Sequence, residues 1–274
     1  MRWQTLLAWP GCCLLLGSCS TTKQMHWPVW QGGGERQGGT AFYHQVAAAK
    51  WRERDSLAVL QIEAGNIPDR LRRFQAVHSS YTDSSGKTYH ATFYVARDYL
   101  SLGTNADWAR IPMTPMAAQS IADSFHCFLP TRKMVDLVYE QSRVKLEPVP
   151  MYAYRDSSVT MWQHHLIVEG QRKGRKGLIA GIKKDVVISG KLKRDSRPNR
   201  EAIYGWHQLD GKPIQPLYTG HVNWWVDYSH GIRLVYRKIR VNHRWMDYTT
   251  LLHDPILQKL ICDEEWCDCE RYPY

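Results

Sequence analysis

The chain has 274 residues, 43% of them hydrophobic, with 12 tryptophans and a formal net charge of +10. That composition excludes a disordered or fibrous chain and supplies a proper core. The cationic excess directs the protein toward anionic surfaces.

The N-terminus reads "MRWQTLLAWPGCCLLLGSCS", with an early cation at Arg2, an apolar run from Leu6 to Leu16, and Gly17 and Ser18 before Cys19. This is the layout of a secretory signal, and the run is well short of the ~20 residues that span a bilayer. Leu15 to Cys19 resembles the bacterial lipobox. That resemblance implies a signal over residues 1–18, a lipid on Cys19 and, with Ser20 following, a place in the cell envelope on the periplasmic side of the outer membrane. For such an exported chain the expected partners are the membrane, through the anchor, and cell-wall polymer, and nucleic acid is not expected. Residues 19–40 are polar and Gly-rich and read as a flexible tether. Residues 41–274 then form one domain, with a subdivision near 150 where "VKLEPVPM" is rich in proline.

From Tyr43 to Ala64 the Ala-rich, charge-laced pattern predicts a helix. "FQAVHSSYT", "DSSGK" and "TYHATFYVA" predict a strand, a turn at Gly86 and a second alternating strand. "YLSLG" and "ARIPM" are expected to continue that sheet. Two helices follow, the first capped by Thr114 with Pro115 at its first position, the second starting at "LPTRKMVD". "SVTMWQHHLIVEGQRK" predicts a third, stopped by Gly170 or Gly174. The remainder reads as strand: "GIKKDVVIS", "EAIYGWHQ", "HVNWWVDYS" and "IRLVYRKIRVNHRW", with the basic loop "GKLKRDSRPNRE" between the first two. The expected class is α+β, a small N-terminal sheet and helices followed by a mainly antiparallel C-terminal sheet. Among the cysteines, Cys127, Cys262, Cys267 and Cys269 are expected to supply a disulfide, joining Cys127 to the tail or closing within the tail.

The segment Val226 to Val235, "VDYSHGIRLV", gathers Asp227, Ser229, His230 and Arg233. Ser229 to Leu234 resembles the Ser-His-Gly-Cys-x-Arg signature of L,D-transpeptidases, but Ile232 stands where that family carries its nucleophilic cysteine. Without a thiolate there is no acyl-enzyme, so the resemblance implies no transpeptidase activity here. More broadly, "LPTRKMVD", "AGIKKDVVIS", "AIYGWH" and "DYSHGIRLV" resemble a family of exported bacterial proteins, which implies a shared scaffold and no mechanism.

The residues themselves offer several chemistries. His207, His221 and His230 lie near strand ends with Asp210 and Asp227 at hand, a donor set that suits zinc if three converge. Cys127 ahead of a helix could be a thiol nucleophile, and Ser229 beside His230 and Asp227 could form a hydrolytic triad, although strand neighbours point to opposite faces. Lys183 and Asp185 share one face of "KKDVV", where a buried charge would mark a ligand site. Trp206 and Trp225 are candidates for stacking a ligand, since alternation sends Trp224 and Trp225 to opposite sides. An enzyme would use His207, His221, Asp227 and His230 as bases or ligands, with Arg233 orienting an anionic group, to hydrolyse an amide or glycosidic bond of peptidoglycan. A structural or adaptor lipoprotein would use its cations and tryptophans to hold wall polymer or a protein partner. Convergence of the histidines favours the first and scatter the second.

Overall fold

The computed structural model describes residues 22–25 and 27–274. The signal segment 1–18 and the lipidation candidate Cys19 lie outside the described residues. The fold is α+β, as the sequence predicts. No described helix is long and apolar enough to cross a membrane.

The largest sheet is built on the hairpin Arg73–Thr82 and Thr88–Ala96, in register from Phe74 opposite Ala96 to Thr82 opposite Thr88. Asp83 shapes the turn by accepting the backbone N–H groups of Ser85 and Lys87, and Gly86 takes the positive φ of 84° that disfavours a side chain. Val77, Phe93 and Val95 are buried on one face, and Phe74 with Ala96 opposite it is buried on the other. The hairpin does not remain a separate N-terminal unit, because Val235–Tyr236 and Lys238–Val241 return to pair with Thr88–Ala96. Val235–Tyr236 also pairs with Cys127–Phe128. The second sheet runs in the order Pro213–Tyr218, Ile203–His207, Lys184–Val186, His230–Gly231, antiparallel except for the last pair. One hydrophobic cluster runs from Met25 through Met161 to Tyr272, so the core is continuous across position 150.

Several local expectations are corrected. From Thr22 onward the tether is bound to the domain: Thr22–Gln24 adds an antiparallel strand against Arg73–Gln75. Met25 and Trp27 are buried, Trp27 stacked 4.6 Å from Phe125. Two apolar anchors inside a polar run suffice to dock it. The helix expected over 43–64 is two, Gly39–Gln45 and Trp51–Glu63, with Lys50 extended between them. On one continuous helix the buried Phe42 and Ala58 would point about 160° apart, so the break lets both face the core. Ser101–Gly103 and Trp108–Arg110 pair with each other as a separate ribbon and do not extend the main sheet. "HVNWWVDYS" is irregular, carrying one isolated bridge from Val222 to Arg200. There the Trp225 N–H bonds to Val222 O and Asp227 captures the N–H of Ser229, local turn bonds that compete with a ladder.

The three helices expected after the hairpin start as their caps dictate. Thr114, Thr131 and Ser157 each accept a first-turn N–H, from Ala117, Met134 and Thr160. The third helix, Ser158–Arg172, ends at a left-handed Lys173 (φ 48°) followed by Gly174. The tail closes on itself through a Cys262–Cys267 disulfide, and Cys127 and Cys269 are buried free thiols.

Candidate functional site

The turn at 227–230 is fixed by Asp227. Its Oδ1 accepts the Ser229 N–H at 2.8 Å and the Ser229 hydroxyl at 2.5 Å, and its Oδ2 receives Arg155 at 2.5 Å. The chain thereby turns His230 inward, where Nε2 meets Glu201 Oε1 at 2.8 Å and Nδ1 meets Asp227 Oδ1 at 3.1 Å. Burial alone would discharge this imidazole, but Glu201 beside it, with hydrogen bonds donated to both carboxylates, overrides that and raises its pKa to about 9. Burial likewise works against the charge of Asp227, and the bonds from His230 and Ser229 pull its pKa far below the usual carboxylate range. Arg155, Asp227, His230 and Glu201 are therefore a chain of alternating charge, Arg155 alone reaching solvent.

This geometry separates the residues singled out from the sequence. Both ring nitrogens of His230 face carboxylates, and Ser229 donates to Asp227 and not to His230, so the hydrolytic triad does not form. His221 is half-buried, stacked on Trp225 with ring centroids 6.2 Å apart and 6.3 Å from the ring of His230. Burial, then the charge of His230, lowers its pKa to about 4, leaving it neutral at pH 7. His207 belongs to a different cavity of about 480 Å³, whose walls include Tyr139, Lys145 and Asp210. There Nε2 lies 2.9 Å from Asp136, and the ring stacks on Tyr139 at 4.5 Å. Nδ1 lies against the backbone of Gly205, where a Cβ would come within 3.4 Å of it. The three histidines do not converge, and among the described residues no group of three His, Cys, Asp or Glu side chains is arranged to hold a metal ion.

The other assigned residues are also enclosed. Arg233, expected to orient an anionic group, is buried and donates to the carbonyls of Ala96 (2.8 Å) and Ile179 (2.7 Å), with its guanidinium over the ring of Tyr99. It braces two chain segments. Lys183 and Asp185, expected to meet a ligand, are 1% and 2% exposed. Lys183 donates to Tyr228 O and lies 3.2 Å from His164 Nδ1; Asp185 accepts the Tyr99 hydroxyl at 2.9 Å. Burial pushes the lysine down to about 7 and the aspartate up to about 6. Trp206 is buried beneath Lys184, whose ammonium lies 5.1 Å from the ring centroid. Cys127 is sealed, its thiol directed at Phe125 O and its pKa raised by burial, which removes the thiolate a nucleophile needs.

Trp225 is the exception. With Trp224, Trp51, Lys50, Asp156 and Ser158 it lines a cleft of about 520 Å³. Trp224 is 44% exposed. The break between the first two helices, the start of Ser158–Arg172 and the irregular 223–226 segment meet here. Sequence reasoning missed Trp51, Ser158, Glu201 and Arg155. The "DSS" before the third helix was a readable cap signal; nothing local marked Glu201 or Arg155, which reach the turn from distant parts of the chain.

No protein-family model matches the chain, and neither does any curated protein or solved structure.

Proposed function

We propose that this protein is a lipid-anchored envelope protein that holds cell-wall glycan in the tryptophan cleft, without cleaving it. The observation that carries the reading is the gathering of Trp51, Trp224 and Trp225 around one cleft of about 520 Å³. Indole faces supply flat apolar area with a polar edge, the chemistry that sugar rings stack on. The scatter of His207, His221 and His230, each committed to a carboxylate or a ring, speaks for binding over hydrolysis. Lipidation at Cys19 would suit such a role. Two residues stand between Cys19 and Thr22, and the three chain steps reach about 11 Å at full extension, so an anchored domain would lie close against the bilayer that faces the wall.

The test is co-sedimentation with purified peptidoglycan sacculi, with soluble fragments followed by mass. The wild-type chain is expected to sediment and to release nothing, and Trp225→Ala to weaken sedimentation by about tenfold, the loss of one stacked ring. Failure to sediment removes the reading, and release of fragments by the wild-type chain replaces binding with hydrolysis.

A further inference from the structure

The tryptophan cleft ends on the first turn of the helix Ser158–Arg172. The first amides of a helix have no intrahelical acceptor and carry the positive end of the helix dipole. Ser157 caps one of them, its hydroxyl accepting the Thr160 N–H at 3.1 Å, which leaves the amides of Ser158 and Val159 pointing out of the helix end. A helix start alone is common. Here two further donors stand beside it. The Ser158 side chain is 2% exposed, lines the cleft, and its hydroxyl has no hydrogen-bond partner among the described residues. The indole N–H of Trp225, which lines the same cleft, is likewise buried and unpartnered.

An unsatisfied buried donor is costly and rare in native proteins. An indole N–H can only donate, so whatever satisfies Trp225 must present an acceptor. Helix amides ask for the same thing and for negative charge. Among the lining residues Lys50 adds a cation and Asp156 an opposing carboxylate, so these formal charges balance and the helix end decides the sign.

Resting on the glycan-binding reading above, we propose that the Ser158 end of the cleft is a subsite for a carboxylate carried by the bound sugar or by its short peptide. The tryptophans take the rings and the helix start takes the acid. A carboxylate offers two oxygens with lone pairs enough for the Ser158 hydroxyl, the adjacent amides and the Trp225 indole.

The measurement is tryptophan-quenching titration of the full chain with three probes: a muramyl dipeptide bearing free carboxylates, the same compound fully amidated, and a trisaccharide of galacturonate. The free acid is expected to bind at least about tenfold tighter than its amide, the scale of one charge-assisted hydrogen bond reinforced by a helix end. Ser158→Ala should narrow that ratio. Equal affinity of acid and amide for the wild-type chain overturns the inference, and this comparison needs no variant to fold. Tighter binding of the galacturonate trisaccharide than of the muramyl acid puts the carboxylate on the sugar, the reverse on the peptide. If Trp225→Ala weakens acid and amide alike while the two bind the wild type equally, the cleft reading stands and the carboxylate inference falls. If no probe binds in any form, both fall.

Discussion

Replacing Lys183 with methionine gives a stability test whose size and pH dependence both follow from the fold. Lys183 is buried, with its ammonium against Tyr228 O and His164 Nδ1. Burial first, then the charge of Arg110, lowers its pKa to about 7, against partial support from Asp227 and Asp98. An amine whose folded pKa lies below its unfolded value of about 10.5 is protonated in the unfolded chain and neutral in the folded one between those two values. The unfolded state therefore binds more protons across that window, and stability rises with pH through it. From a folded pKa of about 7, the lysine costs roughly 4 kcal/mol at pH 7 and roughly 2 kcal/mol at pH 9. Methionine keeps the linear shape and removes the charge. It also leaves Tyr228 O and His164 one donor short, a loss of about 1 kcal/mol per bond that does not change with pH. Urea midpoints of wild type and Lys183→Met across this range should show the difference between them shifting against the variant by about 2 kcal/mol from pH 7 to pH 9. Titrating groups remote from Lys183 cancel in that difference. A difference that stays constant over the range would refute a lysine titrating near neutrality.

His230 contributes with the opposite sign. Its pKa is raised to about 9, so its stabilisation is complete below pH 6.5 and lost as pH climbs through 9; Glu201→Gln, which strips one partner from a buried charge, should cost about 3 kcal/mol at pH 6 and far less at pH 10, read by thermal or urea melts. Reduction of the Cys262–Cys267 bridge opens only a short loop, the two cysteines lying five apart in sequence. Chain-entropy arithmetic gives about 2 kcal/mol for so short a ring, and melts with and without dithiothreitol should differ by that amount. His207→Ala should leave sedimentation with sacculi unchanged, because His207 lines the other cavity; a loss of sedimentation would move the glycan site there.

What the sequence disclosed was whatever a short window can encode. Thr114 and Thr131 announce their helices because a cap is decided by the next three residues. The hairpin at 73–96 was legible because alternation and an Asp-x-x-Gly turn lie within one run. Met25 and Trp27 were hidden inside a polar stretch, where composition outweighs two side chains that happen to find a core.

The cluster at 227–230 failed to read for a different reason. Adjacent Asp, Ser and His suggest catalysis by their proximity, but a charged imidazole acquires its role from what surrounds both its nitrogens. Glu201 is 29 residues away, and Arg155 stands 72 residues before Asp227. With those two in place the motif becomes an ion network inside the fold, its histidine charged and enclosed. A base that must accept a proton near neutrality cannot be held at a pKa of about 9 between two carboxylates. The same reasoning redirects attention to Ser158 and Trp225, whose donors face no partner among the described residues. An imidazole held on both nitrogens inside the fold serves the fold, and unpartnered donors beside a cleft ask for a ligand.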